Sequence, residues 1–216
     1  MTRSRWCTAL LLVLIATPAH AQLCRGGPSF ATHPYQAAAT AAFTDGARAF
    51  GGDFGVGGRY LFAAAGFASR HVDDRDSSAT EVSGRVGVDL PINRTRRIFF
   101  CPSGSIAFAT GPDIGTTDVS SFRVGVGGRV GVGVHDTPEL MIVPTFGLDV
   151  FRERVAFEVG GIEEDEADGV GVASLGVGFI LRRRLAIIPE LGVPFSAADS
   201  DVTFSVRVAF GFGGTP

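Results

Sequence analysis

The stretch Val202-Thr203-Phe204-Ser205-Val206-Arg207-Val208-Ala209-Phe210-Gly211-Phe212 decides the fold. Its even-numbered residues are all Val or Phe, and its odd-numbered residues are Thr, Ser, Arg, Ala and Gly. Successive side chains of a strand point to opposite faces, so the segment is a strand with one apolar face and one small or polar face. Glu81 to Leu90 repeats the logic, with Val82, Val86, Val88 and Leu90 opposite Glu81, Arg85 and Asp89. Ile98 to Phe108, Leu140 to Val150 and Leu185 to Val193 read the same way. Phe122 to Val134 alternates Val with Gly and is read as changing phase at Gly127-Gly128, which predicts a β-bulge. A second phase change is read near Ala173-Ser174.

Ten strands follow, at about 35–44, 47–57, 59–71, 79–91, 97–110, 118–135, 139–153, 168–182, 184–193 and 202–212. Three segments share one layout, a charged residue opening the strand and a proline five positions on: Arg97 to Pro102, Glu139 to Pro144 and Arg184 to Pro189. Their spacing of about forty residues puts one hairpin in each repeat and these three strands in one direction. Proline removes a ladder hydrogen bond, so local irregularity is expected at Pro102, Pro144 and Pro189. Short connections at Gly57-Gly58, 92–96, 136–138 and 182–183 alternate with longer ones at 71–78, 111–117, 154–167 and 194–201. Only 44–46 is short where a long loop is expected. Short turns on one side and long loops on the other suit an antiparallel up-and-down transmembrane β-barrel, all-β, with about ten strands. An eight-strand barrel that leaves out the first 45 residues is the competing count.

The residues opposite the apolar face set its orientation. A soluble barrel needs a solvated exterior, whereas here that face is mostly Gly, Ser, Ala and Thr with one to three charges per strand. Such a face suits a narrow, packed lumen, and the apolar face then meets lipid. Glu81, Arg85, Asp89, Arg129, Asp149, Glu190 and Arg207 all fall on the small-residue side and are assigned to the lumen. An Arg on the lipid face at mid-bilayer would cost about 2–4 kcal/mol.

Arg3 and Arg5, the apolar run Ala9 to Ala16 and the small-x-small site Ala19-His20-Ala21 predict a cleaved secretory signal at 1–21. The apolar run is too short to span a bilayer as a helix. The domain reading continues with an N-terminal periplasmic segment at 22–34, the barrel at 35–213 and a tail at 214–216. Thirty glycines is about twice ordinary usage. The chain has no lysine, its basic residues all being Arg, and a net charge of −3, which argues against nucleic acid as a partner. Cys7 leaves with the signal, so the mature chain keeps Cys24 and Cys101. Loop lengths put both on the periplasmic side, where a disulfide would tie the N-terminal segment to the barrel rim; two unpaired thiols are the alternative.

The Val/Gly strands, the hairpin layout and the closing run to Phe212 resemble the small outer-membrane β-barrels of Gram-negative bacteria, the OmpA/OmpX-like single-barrel class. The resemblance covers about Tyr35 to Phe212. It implies insertion by the outer-membrane assembly machinery, which reads a last strand ending in an aromatic residue. Here Phe212 is followed by Gly213-Gly214-Thr215-Pro216, and Phe takes the interfacial places usually held by Trp and Tyr.

Other constellations are weaker. The acidic run Glu153, Glu158, Glu163, Glu164, Asp165, Glu166 and Asp168 is read as a solvated loop tip rather than a Ca²⁺ site, because its spacing matches no dedicated loop. His71 to Asp76 gives a second acidic tip. Ser69, His71, Asp73 and Asp74 form the best catalytic candidate, but a Ser-x-His pair alone is a poor signature, and the chain is read as no enzyme, with no cofactor and no metal. Arg94, Arg96, Arg97 and Arg182 to Arg184 gather at the periplasmic turns, as solvated turn residues or contacts to anionic headgroups. The functional expectation is a monomeric outer-membrane barrel of structural or interaction type, with a largely filled lumen. A narrow small-solute channel and a soluble periplasmic barrel for an apolar ligand are the alternatives.

Overall fold

In the computed structural model, residues 25–72, 77–93, 97–111, 117–159, 162–195 and 201–214 are described, and the side chains of 77, 117–118, 157–159 and 162–167 are set aside. The strands in chain order are β1 (Tyr35–Thr44), β2 (Ala47–Gly57), β3 (Leu61–Val72), β4 (Ser77–Val88), β5 (Leu90–Pro91), β6 (Ile98–Thr110), β7 (Thr117–Val132), β8 (His135–Asp136), β9 (Leu140–Val159), β10 (Ile162–Leu181), β11 (Leu185–Pro194) and β12 (Thr203–Phe212). Ten of them make a closed antiparallel ring, each beside its neighbour in sequence, and β5 and β8 are two-residue rim segments. The ring closes where β1 meets β12, from Tyr35↔Phe212 to Phe43↔Phe204. Because β1 and β2 are wall strands, the eight-strand count does not hold.

An even strand number brings both chain ends to one rim, here called the terminal rim, and the opposite one the distal rim. Closure leaves no unpaired edge, the condition for a sheet to sit in hydrocarbon. The alternation of the closing strand is realised in space: Phe204, Val208 and Phe210 are exposed outward, while Ala209 and Gly211 are buried. Outward apolar exposure continues round the wall, as at Phe67, Val86 and Val126, exposed by 65, 61 and 69 %. Near the terminal rim Tyr35 stacks on Phe212 at 5.8 Å and on Phe54 at 6.3 Å, an outward aromatic patch over the β12–β1–β2 seam.

Both expected phase changes are absent from the backbone. The β6–β7 ladder runs unbroken from Ile98↔Val132 to Thr110↔Ser120, and β7–β9 is continuous across Gly127↔Asp149 and Gly128↔Leu148. Val124, Val126, Val130 and Val132 keep one parity across the glycine pair, so no bulge is required. The β9–β10 ladder is equally regular through Ala173↔Leu148 and Ser174↔Gly147. There the chemistry changes face while the chain does not: Val170 and Val172 take lumen positions that Ser174 and Gly176 occupy further down.

The region 154–167, expected as a loop, is strand. β9 and β10 are each 20 residues long and pair as far as Ile162↔Val159. Arg152 and Arg154 stand where outward apolar residues stood below, which ends the membrane-type pattern without ending the ladder. Its backbone groups stay satisfied between strands, so polar side chains do not stop the hairpin.

The prolines act as expected. The β4–β6 ladder stops at Gly87↔Ser103, beside Pro102. Pairing of β7 with β9 stops at Gly131↔Thr145, beside Pro144, and β8 resumes it one residue out of register. The β10–β11 ladder skips from Gly176↔Glu190 to Phe179↔Ile187, leaving out Pro189.

Candidate functional site

The lumen holds what this chain can offer chemically, and the stretch Arg25–Pro34 shapes one end of it. Instead of trailing from the rim, this stretch folds into the terminal mouth. Gly26 to Phe30 and His33 are buried. A tight turn on Ser29 organises the segment, its carbonyl accepting from the His33 amide at 2.9 Å and the Thr32 amide at 3.2 Å. Two bonds pin it to the wall: Gln36 Nε2 donates to the Pro28 carbonyl at 2.5 Å, and the Gly57 amide donates to the Pro34 carbonyl at 2.9 Å.

Phe30 is the wedge of this plug. It is 2 % exposed and stacks on Phe62 with centroids 6.1 Å apart. The wall glycine Gly57 makes room for it, since a Cβ there would sit 2.7 Å from the Phe30 ring, and the plug approaches β10 closely at Gly26, where a Cβ would sit 2.8 Å from the backbone of Gly178. Around the wedge, Phe99, Cys101, Met141, Val143, Ile180, Ala186 and Ile188 complete a buried apolar cluster inside the terminal end. Gly214 lies against Thr32 and His33, so the glycines after Phe212 let the C-terminal end pass close to the plug.

Above the plug the lumen turns polar. Arg129 of β7 reaches across the barrel to Glu190 of β11 and grips it with both guanidinium nitrogens, one bond at 2.9 Å, while Asp149 of β9 lies 3.7 Å away. Arg207 of β12 binds Asp53 of β2 through two bonds of 2.7 and 3.1 Å. Arg123 of β7 pairs with Glu81 of β4, and its guanidinium lies 5.4 Å from the centroid of Phe151. Planar guanidinium forks matched to carboxylates give these pairs fixed geometry as well as attraction. Gly127 permits one of them, since any Cβ there would occupy the place of the Asp149 carboxylate.

Above the plug the ion pairs line a cavity of about 360 Å³. It is lined by Arg85, Arg129, Glu81, Glu190 and Arg207 among the charges assigned inward from sequence, together with Arg25, Asp53 and Arg123, which that assignment left out. Asp89 is buried at the terminal end, with its amide bonded to the Tyr60 carbonyl at 2.7 Å. Asp53 and Arg123 were legible by parity on their own strands. Arg25 was not, because it reaches the lumen only through the folding of the N-terminal segment.

Other candidates are dispersed. Ser69 and His71 share the outward side of β3, pairing with Thr80 and Ser78, and Asp73 and Asp74 lie outside the described residues. Glu153, Glu158, Glu163, Glu164, Asp165, Glu166 and Asp168 lie on β9 and β10, with Asp168 opposite Glu153 and Glu163 opposite Glu158. Of the turn arginines, Arg94 and Arg96 lie outside the described residues. Arg182 and Arg183 occupy a tight turn at φ of 47° and 58°, and Arg183 faces Asp136 at 3.4 Å on the exposed terminal rim. An ion pair so exposed adds at most about 1 kcal/mol.

No protein-family model matches the chain, and no curated protein sequence matches it. Solved structures similar in overall shape include the N-terminal β-barrel domain of Pseudomonas aeruginosa OprF, at 8 % identity and a TM-score of 0.42 over 82 % of this chain and 96 % of that one. Neisserial surface protein A gives 15 % identity and a TM-score of 0.41, covering 83 % and 97 %. The translocator domain of the autotransporter NalP from Neisseria meningitidis gives 14 % and 0.48, covering 83 % and 86 %. No residue role carries over at such distances. By its own closure, its ten strands and the inversion of polarity between its two faces, the chain has the architecture of a small outer-membrane β-barrel.

Proposed function

We propose that this protein is a monomeric, non-conducting outer-membrane barrel whose working surface lies beyond the distal rim. The observation that carries this reading is a lumen plugged at its terminal mouth and crossed by ion pairs above the plug. The Phe30 plug fills the terminal mouth, and the Arg129–Glu190 pair braces the barrel across its width above it. A spanning strand needs about 9–11 residues, as in β1, whereas β9 and β10 have 20 each, so about half of that hairpin projects past the membrane. With β7, which pairs with β9 out to Thr117↔Val159, it forms a stiff three-stranded flap with an acidic sequence at its end. The flap is suited to contact a basic or cation-bridged surface.

The same reading places an export signal at 1–21, both termini in the periplasm, lipid around the outward apolar face and the outer-membrane assembly machinery as the partner in biogenesis. It also joins Cys24 to Cys101 by a disulfide that tethers the plug. Cys24 lies outside the described residues, but Cys101 is 1 % exposed in the apolar cluster that holds Phe30, and Arg25 already stands within the lumen. Peptide mass mapping without reduction should find the two cysteines linked. The outward face argues against a soluble barrel, and the plugged terminal mouth argues against a channel. Reconstitution of the purified protein in planar bilayers tests the main claim: no steady conductance is expected, and a persistent open channel would refute it.

A further inference from the structure

We propose that the blind lumen cavity binds a small oxyanion, a compact phosphate- or carboxylate-bearing molecule, at Arg85, with Arg25 on the same lining. The cavity has the size of a small-ligand pocket at about 360 Å³. Five guanidinium groups line it, and three are committed: Arg123 to Glu81, Arg207 to Asp53, and Arg129 to both Glu190 and Asp149. Arg85 and Arg25 have no carboxylate within ion-pair reach among the described residues. Five guanidinium groups line the cavity against three carboxylates, Asp53, Glu81 and Glu190, and counting Asp149 beside Arg129 still leaves one positive charge in excess, within a wall that faces hydrocarbon.

The sign of that excess chooses the ligand. Each acid in the cavity is already held by an arginine, so a cation would find no free acceptor of full charge. An oxyanion would find the uncommitted Arg85 fork, able to donate two parallel N–H bonds, in surroundings where charge attraction is stronger than in bulk water, and Arg25 adds positive charge to the same lining. The hydroxyls of Thr40, Ser83, Ser105 and Ser205 line the same space and supply further donors. Arg25 and Ile188 belong to the floor at the plug, so entry is from the distal side. The volume admits a molecule of phosphate or dicarboxylate size.

This proposal deepens the closed-barrel reading and rests on the plug forming the floor, yet the two fail separately: conductance tests the closure, and titration tests the site. The mature protein, folded in detergent and checked by its heat-modifiable gel mobility, is titrated calorimetrically at constant ionic strength. Inorganic phosphate and succinate are the probes, with chloride as the control. Saturable binding of one or both is expected, and whichever binds tighter assigns the ligand to the phosphate or the carboxylate class. Arg85→Gln should weaken binding about tenfold or more, Arg85→Lys less, and the exposed-turn variant Arg183→Gln not at all. If Arg85→Gln does not fold, wild type and Arg85→Lys decide the matter. Absence of saturable binding to wild type, or equal affinity in a folded Arg85 variant, would overturn the proposal.

Discussion

Replacing Phe30 by alanine separates the plug from the barrel it closes. Phe30 is 2 % exposed, stacks on Phe62 and fills the space that Gly57 leaves open. Truncating so buried a Phe costs about 3–5 kcal/mol, and the low end applies here because Phe62 can settle into part of the vacated space. The cost falls on docking of the segment and not on the wall, since the ring belongs to no strand. A loss of about 3 kcal/mol raises the undocked population by more than about a hundredfold. Hydrogen exchange in the detergent-folded protein reads this directly. The Thr32 and His33 amides, both bonded to the Ser29 carbonyl, should lose about that much protection. Amides of the β1–β12 seam should keep theirs. Two results would refute the reasoning. Unchanged exchange at Thr32 and His33 would mean that Phe30 is no anchor, and equal acceleration in the strands would mean that it is wall core.

Other outcomes follow from the same geometry. Val86→Arg places a charge on a position 61 % exposed to lipid and should lower the folded yield in vesicles, at a cost of about 2–4 kcal/mol; a yield equal to wild type would reverse the assignment of faces. Gly87→Arg should still insert but melt earlier, because a Cβ there already meets the Phe62 ring at 2.5 Å. Glu190→Gln strips Arg129 of its bidentate partner and leaves Asp149 at 3.7 Å, so urea unfolding should show a loss of up to about 3 kcal/mol. His33 is held below its ordinary pKa, first by burial and then by Arg184 nearby, so the docked plug favours neutral His33. That contribution is complete above about pH 6.5 and is lost as pH falls through the lowered value. Exchange at residues 26–33 should therefore quicken on acidification in wild type and lose this pH dependence in His33→Gln.

Much of the wall was legible because one physical rule wrote it. Every spanning strand has to show apolar groups to lipid and cannot show charge, so Val202 to Phe212 and Glu81 to Leu90 carried their faces openly. The ion pairs were half legible. Parity put Arg207 and Arg129 inside, but the partners lie on strands distant in sequence, Asp53 being 154 residues from Arg207. No local pattern states such a distance. The hairpin over 154–167 reads as a loop because alternation of hydrophobicity stands in for strand, whereas the ladder needs only backbone partners. Arg152 and Arg154 end the lipid-facing pattern; Gly169↔Arg152 and Ala167↔Arg154 continue the sheet.

The departures from the lipid rule share a location and a consequence. Along the wall the outward pattern fixes where the protein sits and leaves little freedom, since each exception there costs insertion energy. Freedom remains inside the barrel and beyond its distal rim, and the features with chemistry lie there. Arg25 to His33 has no periodicity, yet it closes the lumen. Gly213 and Gly214 spoil the aromatic ending of the last strand, yet Gly213, at φ of 82°, and the closely packed Gly214 let the C-terminal end pass beside the plug. The acidic part of β9 and β10 abandons the lipid pattern and keeps the ladder as far as Ile162↔Val159. In a barrel of this kind a break in alternation is therefore the place to look for function, because regular alternation is already spent on the membrane.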